Sequence, residues 1–314
     1  MLVHGSNLEQ KLRSAAKYSD DESRQFLAEI LAHYKEWESS NETLVGPGAQ
    51  VEPDDEEVVR QRVELLVVYK DFIDQQKYAE KFDSRSNLHS TVLEEFLHYL
   101  FRDLVASFGE SALIGKSHTF KDIFFAAPRY SEMVRRPYAR IERKDHDFVI
   151  GTTVEASFRS RKSPSMGTEE EEVVVSEAAE EYDEPALLDD VESHLFDVPA
   201  VAIECKTYLD KSMLEGSSRA AEELKARNPN GLYLIVMEWI KLSEAVNLRK
   251  YKVDQIYVLR KQKNTDREFR FLPGYVKKPI DSEVVWHLFS TVRSHLTEDW
   301  LGGVEYGIDR GWLV

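Results

Sequence analysis

Apolar positions recur at helical spacing over the first third of the chain. Leu8, Leu12, Leu27, Ile30, Leu31 and Tyr34 place helix across residues 7–38. A stretch rich in Gly, Pro and small polar residues at 39–54 reads as loop, and helix resumes over 55–79. Leu88, Val92, Phe96, Leu100 and Leu104 form one apolar stripe, which predicts a helix from about residue 87 to 108. Ser86 or Asn87 would cap its start and Gly109 would end it.

The period changes after residue 118. Tyr138–Arg143 alternates and Asp147–Val154 is β-rich, so the pair predicts a hairpin turning near Lys144 and Asp145. A strand at Val198–Lys206, a helix over Lys211–Ala226, a near-continuous apolar strand at Leu232–Trp239 and a strand at Asp254–Leu259 follow. Residues 241–250 read as helical, and Ser282–Leu296 is an amphipathic closing helix. Strand–helix–strand between 198 and 239 implies a parallel pair joined by a right-handed crossover. No internal repeat is visible.

Composition narrows the class. The 314 residues suffice for one large domain or two modest ones. No apolar run is long enough for a transmembrane span, and the N-terminus lacks the layout of a signal peptide. The expected compartment is the cytoplasm, with no membrane partner. One cysteine, Cys205, excludes an intrachain disulfide and a Cys-based zinc site.

The net charge of −16 argues at first against nucleic acid. Its distribution changes that. From Pro164 to Ile203 there is no Lys or Arg, and that window holds thirteen acids, Glu169–Glu172 among them. Taking those thirteen from the balance of −16 leaves −3 for the rest of the chain. The acidic tract reads as a mobile insertion, with charge mimicry or repulsion of DNA as the alternative. The remainder carries local basic clusters, so mean charge does not exclude DNA.

The candidate chemistry sits at the end of the strand Val198–Lys206. Side chains alternate faces along a strand, so Ala202, Glu204 and Lys206 share one face and Val201, Ile203 and Cys205 the other. Glu204 and Lys206 then point the same way, about 7 Å apart. A carboxylate and an ammonium at the end of an apolar strand are costly unless paired or bound to metal. Asp147 stands at the mouth of another apolar strand. Two carboxylates suit Mg²⁺, which takes oxygen ligands and keeps waters, and a lysine beside them can neutralise developing charge. Asp145 would share the face of Asp147, but reads better as a turn residue. Cys205 reads as a small core residue, with no histidine placed to activate it. Gly109–Ser117 has one residue too many for a phosphate loop and follows a helix.

Asp147 followed by Glu204-Cys205-Lys206, on a helix–strand–strand–strand–helix–strand order, resembles the PD-(D/E)XK nuclease superfamily over roughly residues 87 to 260. Three phrases resemble restriction endonucleases of the Bpu-ten-I type: LHSTVLEEFLHYLF from Leu88, HDFVIG from His146 and IECKTYLDKSML from Ile203. The residue before Asp147 is His146, where the motif has Pro. The resemblance implies an α+β, restriction-endonuclease-like αβββαβ core with a mixed sheet. It would occupy residues 87–265, with the acidic insertion at 163–195. A helical region at 1–86 would precede it and a helical extension at 266–314 would follow.

The resemblance also implies Mg²⁺-dependent, sequence-specific cleavage of double-stranded DNA by a homodimer or a heterodimer with a related subunit. Asp147 and Glu204 would be the two acids and Lys206 the lysine. The Cys205 main-chain carbonyl and Glu94, or its neighbour Glu95, would join the metal. Arg143, Lys144, Arg159, Arg161, Lys162 and Lys211 are candidate phosphate contacts. A non-catalytic DNA-binding protein on the same scaffold, or a repair nuclease without strict site specificity, are the alternatives.

Overall fold

The computed structural model describes residues 2–82, 88–135, 138–159 and 191–300. The acidic run from Glu169 to Asp190, Arg161, Lys162 and the two candidate caps Ser86 and Asn87 lie outside the described residues.

The helical first third divides more finely than its apolar spacing predicts. Helices α1 (Val3–Arg13) and α2 (Asp21–Thr43) replace the single expected stretch, and α3 (Asp55–Ile73) and α4 (Gln76–Lys81) replace the second. The breaks have local causes. Asp20 caps α2 by accepting the Ser23 amide at 3.0 Å, which fixes a new helix start there. Helix α5 (Ser90–Ala106) buries Val92, Phe96, Leu100 and Leu104, the predicted stripe. His89 is its N-cap, and the helix stops before Gly109, whose φ of +113° suits a residue without Cβ.

The sheet differs from expectation at its first two strands. Strand β1 runs Ala112–Ala126, a short helix α6 (Tyr130–Arg135) follows, and β2 runs unbroken from Tyr138 to Arg159. There is no turn at Lys144 and Asp145. Both lie mid-strand, Asp145 opposite His118 and Lys144 opposite Thr119. Asp145 bonds the His118 ring, so a cross-strand partner stabilises there what local sequence reads as a turn. Strand β3 runs Val191–Leu209, starting earlier than its apolar segment, so the last residues of the expected insertion belong to a strand.

Helix α7 (Lys211–Lys225), strands β4 (Leu232–Ile240) and β5 (Gln255–Val258), and helix α8 (Ser282–Thr297) complete the chain. Of the helix expected at 241–250, only a 3-10 turn at Leu248–Lys250 forms. The strand order is β1-β2-β3-β4-β5. Strand β2 pairs antiparallel with β1 and with β3, while β3–β4 and β4–β5 pair parallel and β1 touches β3 in one parallel pairing at Thr119 and Asp197, so the sheet is mixed. Helix α7 is the crossover between β3 and β4.

Two cores hold the layers. On one face, Val201, Ile203 and Cys205 of β3 join Phe148 and Ile150 of β2 in a cluster that continues through α5 and α8 into α1, α2 and α3. On the other, Ala202 packs with Leu214, Ala221 and Leu224 of α7. The expected face assignment of β3 therefore holds. Three side chains knit α1 to the rest. His4 Nδ1 lies 2.9 Å from Thr91 Oγ1 and His4 Nε2 2.6 Å from Tyr69 OH, bridging α5 and α3.

The pairing of β2 with β3 contains a bulge at Ile150 and Gly151. A Cβ at Gly151 would stand 2.2 Å from the Val198 carbonyl oxygen. Gly151→Ala is expected to destabilise the protein by about 1–3 kcal/mol, because backbone must move to make room. Urea denaturation beside wild type measures this.

Candidate active site

Asp147 sits on β2 immediately before Phe148, which pairs with Ile203 of β3. That register brings Asp147 beside the Glu204–Lys206 segment. Asp147 Oδ2 accepts the Cys205 backbone N–H at 3.0 Å and the Lys206 ammonium at 3.2 Å. Lys206 Nζ also lies 2.8 Å from Glu204 Oε1. One ammonium therefore bridges two carboxylates from adjacent strands. All three side chains keep about a quarter of their surface in contact with water, 29% for Asp147 and 26% for each of the others.

The electrostatics follow from this geometry. Burial works against the Lys206 charge, but Asp147 and Glu204 outweigh it and hold the lysine's pKa above its usual value. Burial likewise opposes ionised Glu204. Lys206, then the hydroxyls of Tyr233 and Ser217, more than compensate and hold the acid below the usual carboxylate range. Tyr233 of β4 donates to Glu204 Oε2 at 2.5 Å and Ser217 of α7 at 3.2 Å. Sequence reasoning missed both. Neither belongs to a motif, and only the β3–α7–β4 crossover brings them to Glu204.

The two candidate glutamates on α5 separate clearly. Glu95 turns to α1, accepting the His4 amide at 2.8 Å and the Gly5 amide at 3.2 Å. It is an anchor for the first helix. Glu94 turns to Asp147, and the two line the same clefts. Its Oε2 is buried without a hydrogen-bond partner. Burial, then the Asp147 charge, push its pKa up to about 7. An unpartnered carboxylate oxygen facing a second acid fits a cation ligand. Among the described residues no three His, Cys, Asp or Glu side chains already converge as a closed metal cage. The gap between Asp147 and Glu204 is spanned by the Lys206 ammonium.

Two clefts of about 560 Å³ each meet at Thr91, Glu94, Lys116 and Asp147. One runs toward α1. The other passes Cys205 and Lys206 toward Arg267 and Arg270. Lys116, Arg267 and Arg270 were not legible as site residues, because β1 and the segment after β5 carry no motif. Cys205 is buried and its thiol pKa is pushed up by burial, then by Asp147 and Glu94, which makes it a poor nucleophile. His146 is buried with its ring 5.9 Å from that of Tyr233.

Of the expected phosphate contacts, Arg143, Lys144 and Lys211 do not line this cleft. Arg143 donates to the Leu195 carbonyl at 2.9 Å. Lys144 lines a separate cavity of about 220 Å³ between the sheet and α7. Lys211 lies exposed, 3.7 Å from Glu215. Arg159 ends β2, but its side chain, like Arg161 and Lys162, is outside the described residues.

The sequence model of the Bpu10I restriction endonuclease family matches residues 85–312, a span containing Glu94, Asp147, Glu204 and Lys206. The chain belongs to the Bpu10I restriction endonuclease family. Its fold is similar to that of the native BbvCI A2B2 tetramer solved at low resolution, with a TM-score of 0.61 and 22% identity. That alignment covers 94% of this chain and 96% of the other, and at this identity it shows the fold. No curated protein matches the chain. The mixed α+β core expected from the resemblance, with helices ahead of it, is the fold this chain adopts. Among the described residues no helix is long and apolar enough to cross a membrane.

Proposed function

We propose that this member of the Bpu10I restriction endonuclease family is a Mg²⁺-dependent, sequence-specific endonuclease that hydrolyses phosphodiester bonds of double-stranded DNA. The observation that carries the reading is the Lys206 ammonium bridging Asp147 and Glu204 at the rim of a cleft into which Glu94 also turns. Asp147 and Glu204 would hold the metal, with Glu94 Oε2 and the Cys205 carbonyl as further oxygen donors. Mg²⁺ when bound would polarise the phosphate and lower the pKa of a coordinated water.

The chain's own residues supply the rest. Lys206 stays protonated, so it is suited to orient the attacking water and balance charge that develops on the phosphate, rather than to act as a base. Tyr233 and Ser217 fix Glu204 through Oε2 and leave Oε1 to the Lys206 ammonium, where a metal would compete for it. The chain is expected to act as a homodimer or beside a related subunit, as two strands must be cut, and to work in the cytoplasm.

Incubation with supercoiled plasmid tests this. Discrete Mg²⁺-dependent bands that EDTA abolishes are the expected result. Nicked circles alone would mean that one subunit of a pair is missing. A smear would favour the repair-nuclease reading, and binding that needs no metal, without cleavage, would favour the binding-protein reading.

The pKa of Glu94 predicts a pH dependence. A ligand carboxylate must lose its proton, so metal affinity should weaken about tenfold per pH unit as pH falls below about 7. Without metal, the sign for stability is opposite. The folded state keeps the Glu94 proton longer than the unfolded chain, so stability falls as pH rises from the ordinary carboxylate range toward 7. Thermal unfolding of wild type and Glu94→Gln at pH 6 and pH 8, with and without Mg²⁺, checks both. Glu94→Gln should flatten both trends.

A further inference from the structure

The cleft that holds Asp147 and Lys206 has a basic wall. After β5 the chain forms a 3-10 turn, Asn264–Phe269, with Arg270 as its C-cap. Arg267 and Arg270 line the same cleft as Glu94, Asp147 and Lys206. Both are half-buried. Arg270 is held in place: its Nη1 donates to the Arg267 carbonyl at 3.2 Å, and its guanidinium lies 4.4 Å from the centre of the Phe271 ring. Among the described residues neither arginine makes an ion pair.

The acid that acts most on Arg270 is Asp74, and it is already committed. Asp74 pairs with His89 at 3.2 Å and with Lys277. Burial, then Arg267, lower the pKa of Arg270, and Arg267 also helps to depress that of His89. Two cations thus share one wall, partly removed from water, with no ion-pair partner of their own among the described residues. Such an arrangement costs energy unless an anion joins it. The opposite problem holds at the floor. Glu94 and Asp147 in the cleft, with Glu204 paired behind Lys206, set three acids against Lys206 and Lys116, so the floor alone offers a phosphate little net attraction.

We propose that Arg267 and Arg270 form a clamp for a backbone phosphate of the DNA strand in this cleft, beside the phosphodiester to be cut. The clamp rests on the nuclease reading of the Asp147–Lys206 site and deepens it. The planar guanidinium forks suit two phosphate oxygens, and the contact is sequence-independent, placing the strand rather than reading it. Arg267 and Arg270 are positioning residues in this account, since they hold the strand against Asp147 and Lys206 and take no part in bond cleavage.

The test is binding of a fluorescent random-sequence duplex in EDTA, over a series of salt concentrations, with plasmid cleavage in Mg²⁺ measured in parallel. Each phosphate contact removed should flatten the slope of log affinity against log salt by about one unit. Arg267→Gln/Arg270→Gln, which removes the one clamped phosphate, should therefore lose about one unit of slope and about tenfold or more in affinity. Arg267→Lys/Arg270→Lys, which keeps the charges, should retain the slope, and a purely structural role would not separate the two double variants in this way. Wild-type slope, affinity and cleavage in the Gln variant would overturn the clamp and leave the nuclease reading standing. Wild-type protein that neither binds nor cuts duplex DNA would overturn both.

Discussion

Lys206→Ala is expected to lower Mg²⁺-dependent cleavage of duplex DNA by about 10²–10⁴-fold, the range for removing a proton-transfer or charge-stabilising group. The cause is local. Lys206 is the one cation that touches both Asp147 and Glu204 among the described residues, at 3.2 and 2.8 Å. Its removal leaves two half-buried acids facing each other without an ammonium. The variant should still fold, because the strand beneath it is fixed by the apolar clusters on both faces. It should still bind DNA, and its stability should depend more on added Mg²⁺ than that of wild type, because metal would then supply the only positive charge between the acids. Lys206→Arg is likewise expected to fold and bind but to recover little cleavage, since a planar fork does not reproduce a compact ammonium. Cleavage rate, duplex binding and thermal unfolding, measured on the same preparations, separate these effects.

The largest effect on stability is expected far from the cleft. Glu238 on β4 is 1% exposed, and it pairs with Lys70 of α3 at 2.9 Å and with Arg260 beyond β5 at 2.6 Å. Arg260 in turn donates to the Lys278 carbonyl at 2.7 Å. This buried triad ties the N-terminal helices to the sheet. Glu238→Gln keeps the shape and removes the charge, leaving buried Lys70 without its 2.9 Å partner and buried Arg260 with only Asp71, at 3.8 Å. The expected loss is about 3–5 kcal/mol, as for removing one partner of a buried pair. Replacing Lys70, Glu238 and Arg260 together with apolar residues should cost much less, because no charge is then stranded.

Burial opposes the Glu238 charge, but Lys70 and Arg260 overcome it and hold the acid well below the usual carboxylate range. The sign for pH follows. A depressed folded pKa contributes stability that is present above the unfolded value and lost as pH falls through the folded one. Wild type should therefore lose this contribution in acid, below the ordinary carboxylate range, and Glu238→Gln should lack that part of the acid transition. Guanidinium denaturation at several pH values measures it.

The contrast between these sites explains what could be read from the chain. Glu204 and Lys206 were legible because a strand's period of two puts them on one face whatever surrounds it. Helix α5 was legible from its apolar stripe. Strand β1 was not, and its register shows why. Irregularities between Gly115 and Ser117 and between Phe120 and Asp122 shift the alternation twice, so no period of two survives along the segment. Lys144-Asp145 looks like a turn because polar residues in a row usually are one. Here His118 and Thr119, more than twenty residues away, supply the partners that keep them in a strand.

The choice between Glu94 and Glu95 also lay beyond the sequence. Both sit on a face of α5 that is buried, and only the position of α1 claims Glu95. Arg267 and Arg270 follow the last strand in a segment with no period, so their place beside Asp147 is a property of the fold alone.

The most direct measurement of the central claim is the single-turnover cleavage of supercoiled plasmid in Mg²⁺ by wild type, Asp147→Asn and Lys206→Ala side by side, each checked for folding by circular dichroism. Discrete cutting or nicking by wild type, lost in both folded variants and in EDTA, is the predicted result. Equal cleavage by wild type and either folded variant would contradict the account, because the reaction would then not run on the Asp147–Glu204–Lys206 site.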